Sequence, residues 1–113
     1  MNIKRGDIYL AALDPALGRE ISKTRPVVIV SNDKNNAFSG TVTILPISSQ
    51  NLDKVYPFEV LLTKGTGNLP KDSKVKADQI RTIDRARIVK HIGDLSCTQM
   101  KDIEKAVRLH LDL

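Results

Sequence analysis

Short apolar segments, separated by polar and turn-forming residues, occupy most of the chain. The longest β-branched run, Val27 to Val30, shows no alternation, which predicts a strand buried on both faces. Alternating segments predict further strands at residues 6–12, 41–47, 58–62 and 73–80, with one or two more around Ile83 and 88–92. The side chains predicted to share buried faces are Ile8 with Leu10 and Ala12, Phe58 with Val60 and Leu62, and Val75 with Ala77, while Lys74, Lys76 and Asp78 are predicted to point away.

Two prolines mark the ends of predicted strands. Pro26 opens the β-branched run and biases Arg25 toward extended geometry, so the guanidinium is expected where a rigid strand meets a loop. Pro46 implies an edge or a bend near the end of the 41–47 strand. An ordinary surface arginine in front of a core strand is the plainer interpretation of Arg25, and the dipeptide alone favours it.

The C-terminal segment has the period of a helix. Ser96 and Gln99 have the spacing of a capping box. The apolar positions repeat at helical intervals and predict a stripe for the core or a dimer surface, made of Met100, Ile103, Val107 and Leu111 with Ala106. Residues 32–36 have the composition of a turn, and residues 16–24 and 64–72 that of loops. Short strands followed by one helix predict a mainly β fold, a small barrel of antiparallel strands.

The length, charge and cysteine content narrow the class of protein. A chain of 113 residues predicts one domain, residues 1–113. A net charge of +5 favours a polyanionic partner, nucleic acid first. The single cysteine cannot form an internal disulfide, and neither a signal peptide nor a membrane-length apolar run is visible. The expected location is therefore the cytoplasm.

The usual catalytic side chains are poorly placed for chemistry. His91, His110 and Cys97 have no partner at catalytic or metal-ligand spacing, and they are best interpreted as structural. A polar set instead falls at the ends of predicted strands: Glu20, Arg25, Ser48, Lys76, Asp78 and Gln79. Cleaving RNA without a metal requires deprotonation of a 2′-OH, stabilisation of charge on phosphorus and protonation of the leaving oxygen. A fixed arginine and a hydroxyl can contribute to that stabilisation.

An ordered set of motifs resembles the MazF/PemK family of toxins. It includes Arg5-Gly6-Asp7-Ile8-Tyr9, Thr24-Arg25-Pro26-Val27-Val28-Ile29, Tyr56-Pro57-Phe58-Glu59-Val60 and Asp78-Gln79-Ile80-Arg81-Thr82-Ile83-Asp84. The resemblance implies an SH3-like barrel with a C-terminal helix, acting as a homodimer. It implies a metal-independent endoribonuclease without a cofactor that cuts single-stranded mRNA at short sequences, leaving a 2′,3′-cyclic phosphate and a 5′-hydroxyl. An acidic antitoxin would inhibit it.

The resemblance also implies roles for individual residues. The family's catalytic arginine falls on Arg25, and its catalytic hydroxyl, usually threonine, falls on Ser48. Glu20 and Asp78 match acidic residues that could act as the base or position the substrate, and the expected RNA contacts are Arg19, Lys23, Lys76 and Gln79. Arg19 stands where some members have histidine, and Ile21-Ser22-Lys23 replaces a common motif, so base specificity is expected to differ.

Plainer interpretations and other functions remain open at this stage. Asp78 could pair with Lys74 or Lys76, Ser48 could be a turn residue bonded to its own backbone, and Glu20 could be a solvated loop charge. A gyrase poison resembling CcdB would share the architecture, but those relatives act through a tryptophan-containing tail and this chain has no tryptophan. A barrel that binds RNA without cutting it is the third hypothesis.

Overall fold

The computed structural model describes residues 2–15, 17–21 and 23–113 of the chain. The strands and helices are, in order, β1 (Asp7–Ala12), β2 (Thr24–Ile29), α1 (Asp33–Phe38), β3 (Thr41–Ser48), β4 (Glu59–Leu62), β5 (Ser73–Lys76), β6 (Arg81–Asp84), β7 (Ile88–Asp94) and α2 (Cys97–Leu111). Single turns of 3-10 helix lie at Thr66–Asn68, Ala77–Gln79 and Arg85–Arg87. This confirms the predicted mainly β fold with a C-terminal helix. Within the predicted loop at 16–24, Ala16 and Ser22 lie outside the described residues.

Strand β3 is the centre of the sheet. The strands follow the order β4-β5-β3-β2-β1-β7, every pairing is antiparallel, and β6 also pairs with β3. One side of β3 pairs with β6 as far as Ile44 and with β5 from Ile47 onward. Pro46 lies between these two stretches, where its missing N–H deprives neither ladder of a donor. The edge alternative for Pro46 is wrong, since β3 pairs with strands on both sides; Pro46 instead lies where β3 changes partner from β6 to β5.

The sheet separates two apolar cores. Val27 and Ile29 pack in a cluster with side chains of β1, β3, β6 and β7, whereas Val28 packs in a second cluster with β4, β5 and α2. All three side chains are fully buried, which confirms the prediction of a strand covered on both faces. Strand β2 is consequently a rigid base for the residues at its N-terminal end.

Local polar bonds overturn one predicted turn, and double-sided burial changes the pattern of β1. Residues 32–36 begin α1, because the Asn32 side chain accepts the Asn35 N–H as an N-cap and Asp33 lies in the first turn. In β1 the prediction for Ile8 holds, but Leu10 and Ala12 are partly exposed while Tyr9 and Ala11 are buried. Both faces of β1 therefore contribute to a core.

The largest departure from the predicted pattern lies in β4 and β5. Lys74 is buried rather than outward-facing, with 4% of its surface exposed, and Glu59 is buried with 6% exposed. Phe58 precedes β4 and is only partly buried. The two buried charges share one face of the β4–β5 ladder, in which Glu59 stands opposite Lys76. The segment at residues 51–56 covers this face through contacts described below, so alternation along the strand does not indicate exposure here.

The C-terminal helix closes the second core. The predicted capping box is present, with Ser96 and Gln99 bonding reciprocally. Met100, Ile103 and Ala106 are buried, while Leu111 is exposed, so the apolar stripe contacts the core only along its first part. Among the residues described, no helix is long and apolar enough to cross a membrane.

Candidate active site

Arg25 lies at the mouth of β2, where the strand still has only one neighbour. It stands opposite Ala11 of β1, and pairing with β3 begins two residues later, at Val27. Pro26 pairs with Leu10 in the same unshared stretch, where a missing N–H costs no bond to β3. Behind Arg25 the strand is fully buried, so the backbone that carries the guanidinium is firmly held.

Arg25 borders a cleft that also contains three other side chains singled out from the sequence. The cleft has a volume of about 260 Å³, and its lining residues are Glu20, Ile21, Arg25, Ser48, Gln50, Asn51, Lys74 and Lys76. We call it the Arg25 cleft. The β1–β2 loop supplies Glu20 and Ile21, and β3 with the residues after it supplies Ser48, Gln50 and Asn51. Residues distant in sequence thus converge on one concave surface.

The hydroxyl of Ser48 is fixed within this cleft. Ser48 ends β3 directly opposite Lys74 of β5, and only 7% of its surface is exposed. Its Oγ accepts the Gln50 N–H at 3.1 Å, which is the local turn bond expected of such a serine. Because this bond uses a lone pair of Oγ, the hydroxyl proton remains available to donate to a ligand. The turn bond and a place in the site are therefore compatible.

The loop between β1 and β2 brings a carboxylate to the cleft. Glu20 is exposed, and its Oε1 accepts the Leu17 N–H at 3.0 Å. The next residue, Ile21, donates its N–H to Gln79 Oε1 at 3.4 Å. At the base of the loop, Lys23 donates its N–H to Asp14 Oδ1 at 2.9 Å. The bond from Ile21 to Gln79 ties the loop to the rest of the protein next to Glu20, and the other two bonds close the loop on itself.

The other predicted site residues lie around the cleft rather than in its lining. Asp78 and Gln79 each contact a residue that lines the cleft. Asp78 Oδ1 lies 3.9 Å from Lys76 Nζ, and Gln79 accepts a hydrogen bond from Ile21. Asp78 Oδ1 is buried and accepts no hydrogen bond from the described residues. Arg19 is an exposed residue of the β1–β2 loop, and Lys23 lines a neighbouring cleft.

A network of buried charges lies behind the wall of the Arg25 cleft and was not predicted from the sequence. Its two lysines, Lys74 and Lys76, line the cleft. The side chain of Glu59 has no exposed surface; its Oε1 accepts from Lys74 Nζ at 3.1 Å and its Oε2 from Lys76 Nζ at 2.6 Å. Burial alone would raise the pKa of Glu59, but the bonds from Lys76, the Tyr56 N–H and Lys74 outweigh it and lower that pKa. Glu59 therefore stays ionised at neutral pH.

Lys74 connects this network to the segment that follows Ser48. Its ammonium donates to the carbonyl oxygens of Asn51 and Lys54, each at 2.9 Å, in addition to Glu59. Glu59 accepts the Tyr56 N–H at 2.9 Å. The segment at residues 51–56 is thus held against β5 by charged groups that also lie at the cleft. The sequence feature that could have revealed this network is the pairing of Glu59 with Lys76 across two strands. That pairing can be recognised only when the register of β4 and β5 is known.

A second cleft shares Arg25 with the first. Its volume is about 290 Å³, and its lining includes Lys23, Thr24, Arg25, Ser49, Lys71 and Ser73. We call it the Lys71 cleft. The sequence predicts only a loop at residues 64–72, yet Leu69, Pro70 and Lys71 line this cleft. Arg25 is shared by two depressions, each of which has lysines in its lining, and the lining of the Lys71 cleft also includes the apolar Pro26 and Ile47.

The residues interpreted as structural lie away from both clefts. The His91 ring contacts Tyr9 edge-on, with 5.1 Å between ring centroids, and its Nε2 lies 3.8 Å from Asp7 Oδ1. His110 is exposed on α2, as is Cys97 in the first turn of that helix. Within the ranges that the structure describes, no three His, Cys, Asp or Glu side chains are grouped so as to hold a metal ion.

This arrangement is suited to binding and polarising a phosphodiester. Arg25 and Lys76 present positive charge, Ser48 presents a hydroxyl donor and Glu20 a potential proton acceptor. The partly enclosed surroundings strengthen such interactions relative to bulk water. An anionic group with one more charge in the transition state than in the ground state would be stabilised selectively.

Comparison with known proteins gives a consistent result. The model of the family described as "PemK-like, MazF-like toxin of type II toxin-antitoxin system" matches residues 4–111. The chain is similar to "Endoribonuclease MazF9" of Mycobacterium tuberculosis, at 43% identity over 98% of both chains. It is also similar to "Endoribonuclease MazF" of Staphylococcus saprophyticus, at 38% identity over 98% of this chain and 92% of the relative. The fold matches a crystal structure of MazF from Deinococcus radiodurans, with a TM-score of 0.86 and 24% identity over 100% of this chain and 99% of that one.

Proposed function

The chain belongs to the PemK-like, MazF-like toxins of type II toxin–antitoxin systems, and on that premise we propose that it is an endoribonuclease acting at the Arg25 cleft. Its substrate is single-stranded mRNA, cut at short specific sequences, and the consequence is inhibition of translation and growth. The observation that carries the proposal is the convergence of Arg25, Ser48, Lys76 and Glu20 on one cleft. The curated relatives named as endoribonucleases support the reaction class.

The reaction is an attack by the 2′-OH on the neighbouring phosphorus. The 2′-oxygen loses its proton and forms a bond to phosphorus as the bond to the 5′-oxygen breaks. The departing 5′-oxygen takes up a proton from solvent, which leaves a 2′,3′-cyclic phosphate and a 5′-hydroxyl. The Arg25 guanidinium binds two phosphate oxygens and stabilises the additional charge. Ser48 donates its proton to a non-bridging oxygen, since its lone pair already accepts from Gln50. The charge-stabilising groups are all side chains of the protein, and the reaction uses no cofactor or metal.

The geometry favours Glu20 as the proton acceptor. Glu20 lines the cleft, whereas Asp78 contacts it only through Lys76. An arginine remains protonated in proteins, so Arg25 is suited to charge stabilisation and not to the role of base. We assign proton transfer from the 2′-OH to Glu20 and assign Asp78 to holding Lys76. A Glu20→Gln variant should then lower kcat more than it raises KM.

In this proposal the RNA strand runs along the two clefts, which share Arg25. Nucleotides on one side of the scissile phosphate occupy the Arg25 cleft and those on the other side occupy the Lys71 cleft, with Arg25 between them. Lys23 and Lys71 contact phosphates in the Lys71 cleft, and Lys76 does so in the Arg25 cleft. Arg19 and Gln79 are proposed as outer contacts of the Arg25 cleft. Arg19 belongs to the β1–β2 loop, and Gln79 is bonded to that loop at Ile21. Phosphate contacts of this kind set register on the strand, and base contacts set the sequence.

The remaining proposals follow from membership of the family. The chain functions as a single domain, forms a homodimer, acts in the cytoplasm and is inhibited by a cognate acidic antitoxin. The net charge of +5 suits both an RNA substrate and an acidic inhibitor.

Cleavage of a long single-stranded RNA in the presence of a chelator tests the proposed function. The wild-type protein should cut at defined sites, and Arg25→Ala should reduce the rate by about 10²–10³-fold while remaining folded. Arg108→Ala is the matched control, because Arg108 is an exposed arginine that lines a different cavity. RNA left intact by the wild-type protein, or cut equally well by Arg25→Ala, would contradict the proposal. Binding without cutting would instead indicate a barrel that only binds RNA.

A further inference from the structure

We propose that Glu59 is a positioning residue of the Arg25 cleft: its buried carboxylate fixes the ammonium of Lys76 and, through Lys74, the segment at residues 51–56. This inference rests on the proposed ribonuclease function and adds a residue to it. Glu59 lies outside the lining of the cleft, so it acts on RNA only through the groups that it holds.

The first observation is that both oxygens of Glu59 are fully engaged. One accepts from Lys74 and from the Tyr56 N–H, and the other accepts from Lys76 at 2.6 Å. Glu59 stands directly opposite Lys76 in the β4–β5 ladder, so the short contact is set by the register of two strands. A carboxylate held in this way is a rigid anchor for whatever it binds.

The second observation is that the two lysines have different amounts of freedom. Lys74 spends its three N–H donors on the carbonyl oxygens of Asn51 and Lys54 and on Glu59, and its side chain is 5% exposed. Lys76 is 21% exposed, contacts Glu59 at 2.6 Å and lies 3.9 Å from Asp78. Lys74 therefore fastens the segment, while Lys76 retains a donor for a phosphate in the cleft.

Electrostatics alone does not explain a carboxylate beside the Arg25 cleft. A negative charge beside a site for a polyanion weakens binding, and a buried ion pair is often no more stable than an apolar replacement of the same volume. A carboxylate here has a clear benefit if the positions of Lys76 and of the 51–56 segment matter for the reaction. Misplacing a group by about 1 Å can cost about 10²-fold in rate.

The kcat of Glu59→Gln distinguishes an electrostatic role of Glu59 from a positioning role, because the two roles predict different changes in kcat. Glu59→Gln removes a negative charge, so a purely electrostatic role predicts equal or tighter RNA binding and an undiminished kcat. A positioning role predicts that kcat falls by about 10–100-fold, while KM stays at or below its wild-type value because Lys76 keeps its charge. Steady-state kinetics on a defined RNA, at a temperature where each variant is folded by circular dichroism, separates the two. An unchanged kcat would overturn the inference.

A double-mutant cycle tests whether Glu59 acts through Lys76. Lys76→Met should lower kcat and raise KM, and adding Glu59→Gln to Lys76→Met should lower kcat by a smaller factor than Glu59→Gln does alone, since one of the two groups that Glu59 holds is already absent. Independent, multiplicative losses in the double variant would overturn the inference. Glu104→Gln is the matched control, because Glu104 is also ion-paired, with Arg5 at 2.9 Å, but lies outside both clefts.

A variant that keeps the charge covers the case in which Glu59→Gln does not fold. Glu59→Asp retains a buried carboxylate but shortens it by one methylene, so the contact with Lys76 lengthens while Lys74 stays neutralised. Its kcat should fall by about tenfold, and wild-type kcat in folded Glu59→Asp would overturn the inference. If the wild-type protein itself does not cut RNA, the proposed function fails instead, so the two failures are distinguishable.

Discussion

The groove beside α2 and the Arg25 cleft are two depressions that differ in size and in the burial of their charged side chains. The groove, between α2 and the ends of β2 and β3, has a volume of about 600 Å³, and its lining combines the apolar Val30, Ile103 and Val107 with the charged Arg5, Glu104 and Arg108. The Arg25 cleft is less than half as large but contains an arginine, two lysines, a glutamate and a buried hydroxyl. Volume therefore does not indicate the chemistry here. The cleft, unlike the groove, has a buried charged residue in its lining, Lys74, which is 4% exposed.

The ion pairs of the two regions show the same contrast. Arg5 and Glu104 pair at the rim of the groove with side chains 32% and 48% exposed. Glu59 pairs with two lysines at the cleft and is fully buried. An exposed pair is screened by water and contributes little, whereas a buried carboxylate must be neutralised by its partners. The cleft is thus the region in which removing one charge disturbs the others.

The largest expected effect is on stability at the cleft. Glu59→Ala leaves the Lys74 ammonium buried without its counter-charge, and we expect a loss of about 3–5 kcal/mol in the free energy of unfolding. Glu104→Ala, at the groove, should cost no more than about 1 kcal/mol. Urea unfolding monitored by circular dichroism measures both. Equal losses in the two variants would remove the distinction between the regions.

The next effect is on cleavage and concerns the hydroxyl of Ser48. Ser48→Ala should lower kcat by about 10²-fold, because a donor aimed at the developing charge is lost. Ser48→Thr keeps the hydroxyl and should retain most of the activity. Thr43→Val, which removes a hydroxyl at the groove, should leave the rate unchanged. The hypothesis fails if Ser48→Ala and Ser48→Thr cut RNA at the same rate.

A smaller effect appears in the pH dependence of stability. The pKa of Glu59 is lowered in the folded state, because its bonds to Lys76, Tyr56 and Lys74 outweigh the effect of burial. Glu59 therefore stabilises the fold at pH values above the ordinary glutamate pKa of about 4.3, and this contribution declines as the pH falls through that value. The difference in urea midpoint between wild type and Glu59→Gln should narrow from about pH 7 to about pH 3. A constant difference would contradict the lowered pKa.

The smallest effect tests the Lys71 cleft as a path for RNA. Lys71→Ala should raise KM a few-fold and reduce the slope of log binding against log salt by about 0.7, as expected for one phosphate contact on a single strand. Lys34→Ala removes an exposed lysine that lines neither cleft, and it should change neither quantity. Titrations at several salt concentrations give the slopes, and identical slopes for both variants would exclude this path.

The elements of the fold could be predicted well because local patterns determine them. The unbroken run after Pro26 indicated a doubly buried strand, and the Ser96 capping box indicated the start of α2. The short helix α1 was missed, since asparagine and aspartate favour both turns and helix N-termini. Which of the two forms depends on the bonds that the segment makes to its surroundings, such as the Arg5 N–H to Asp33 Oδ1.

The candidate site was predicted only in part. The residues that were missed, Glu59 and Lys74, are those whose placement depends on strand register. Arg25 and Ser48 each stood out beside a proline-containing strand, and the resemblance to a family linked them. The burial of Glu59 and Lys74 could not be inferred, because alternation placed both outside the core. Their burial results from the segment at residues 51–56, which is held there by Lys74 itself. When a residue is buried by a segment that it holds in place itself, its burial does not appear as a periodic pattern in the sequence.

The most direct measurement of the central claim uses a substrate with one atom removed. After the cut sites on a long RNA are mapped by 5′-end sequencing, a short RNA with a single 2′-deoxynucleotide on the 5′ side of the scissile phosphate is compared with its all-ribose counterpart. The Arg25 cleft should leave the deoxy substrate intact and convert the ribose substrate to products with a 2′,3′-cyclic phosphate and a 5′-hydroxyl. Equal cleavage of both substrates would contradict attack by the 2′-OH and the roles assigned here to Arg25 and Ser48.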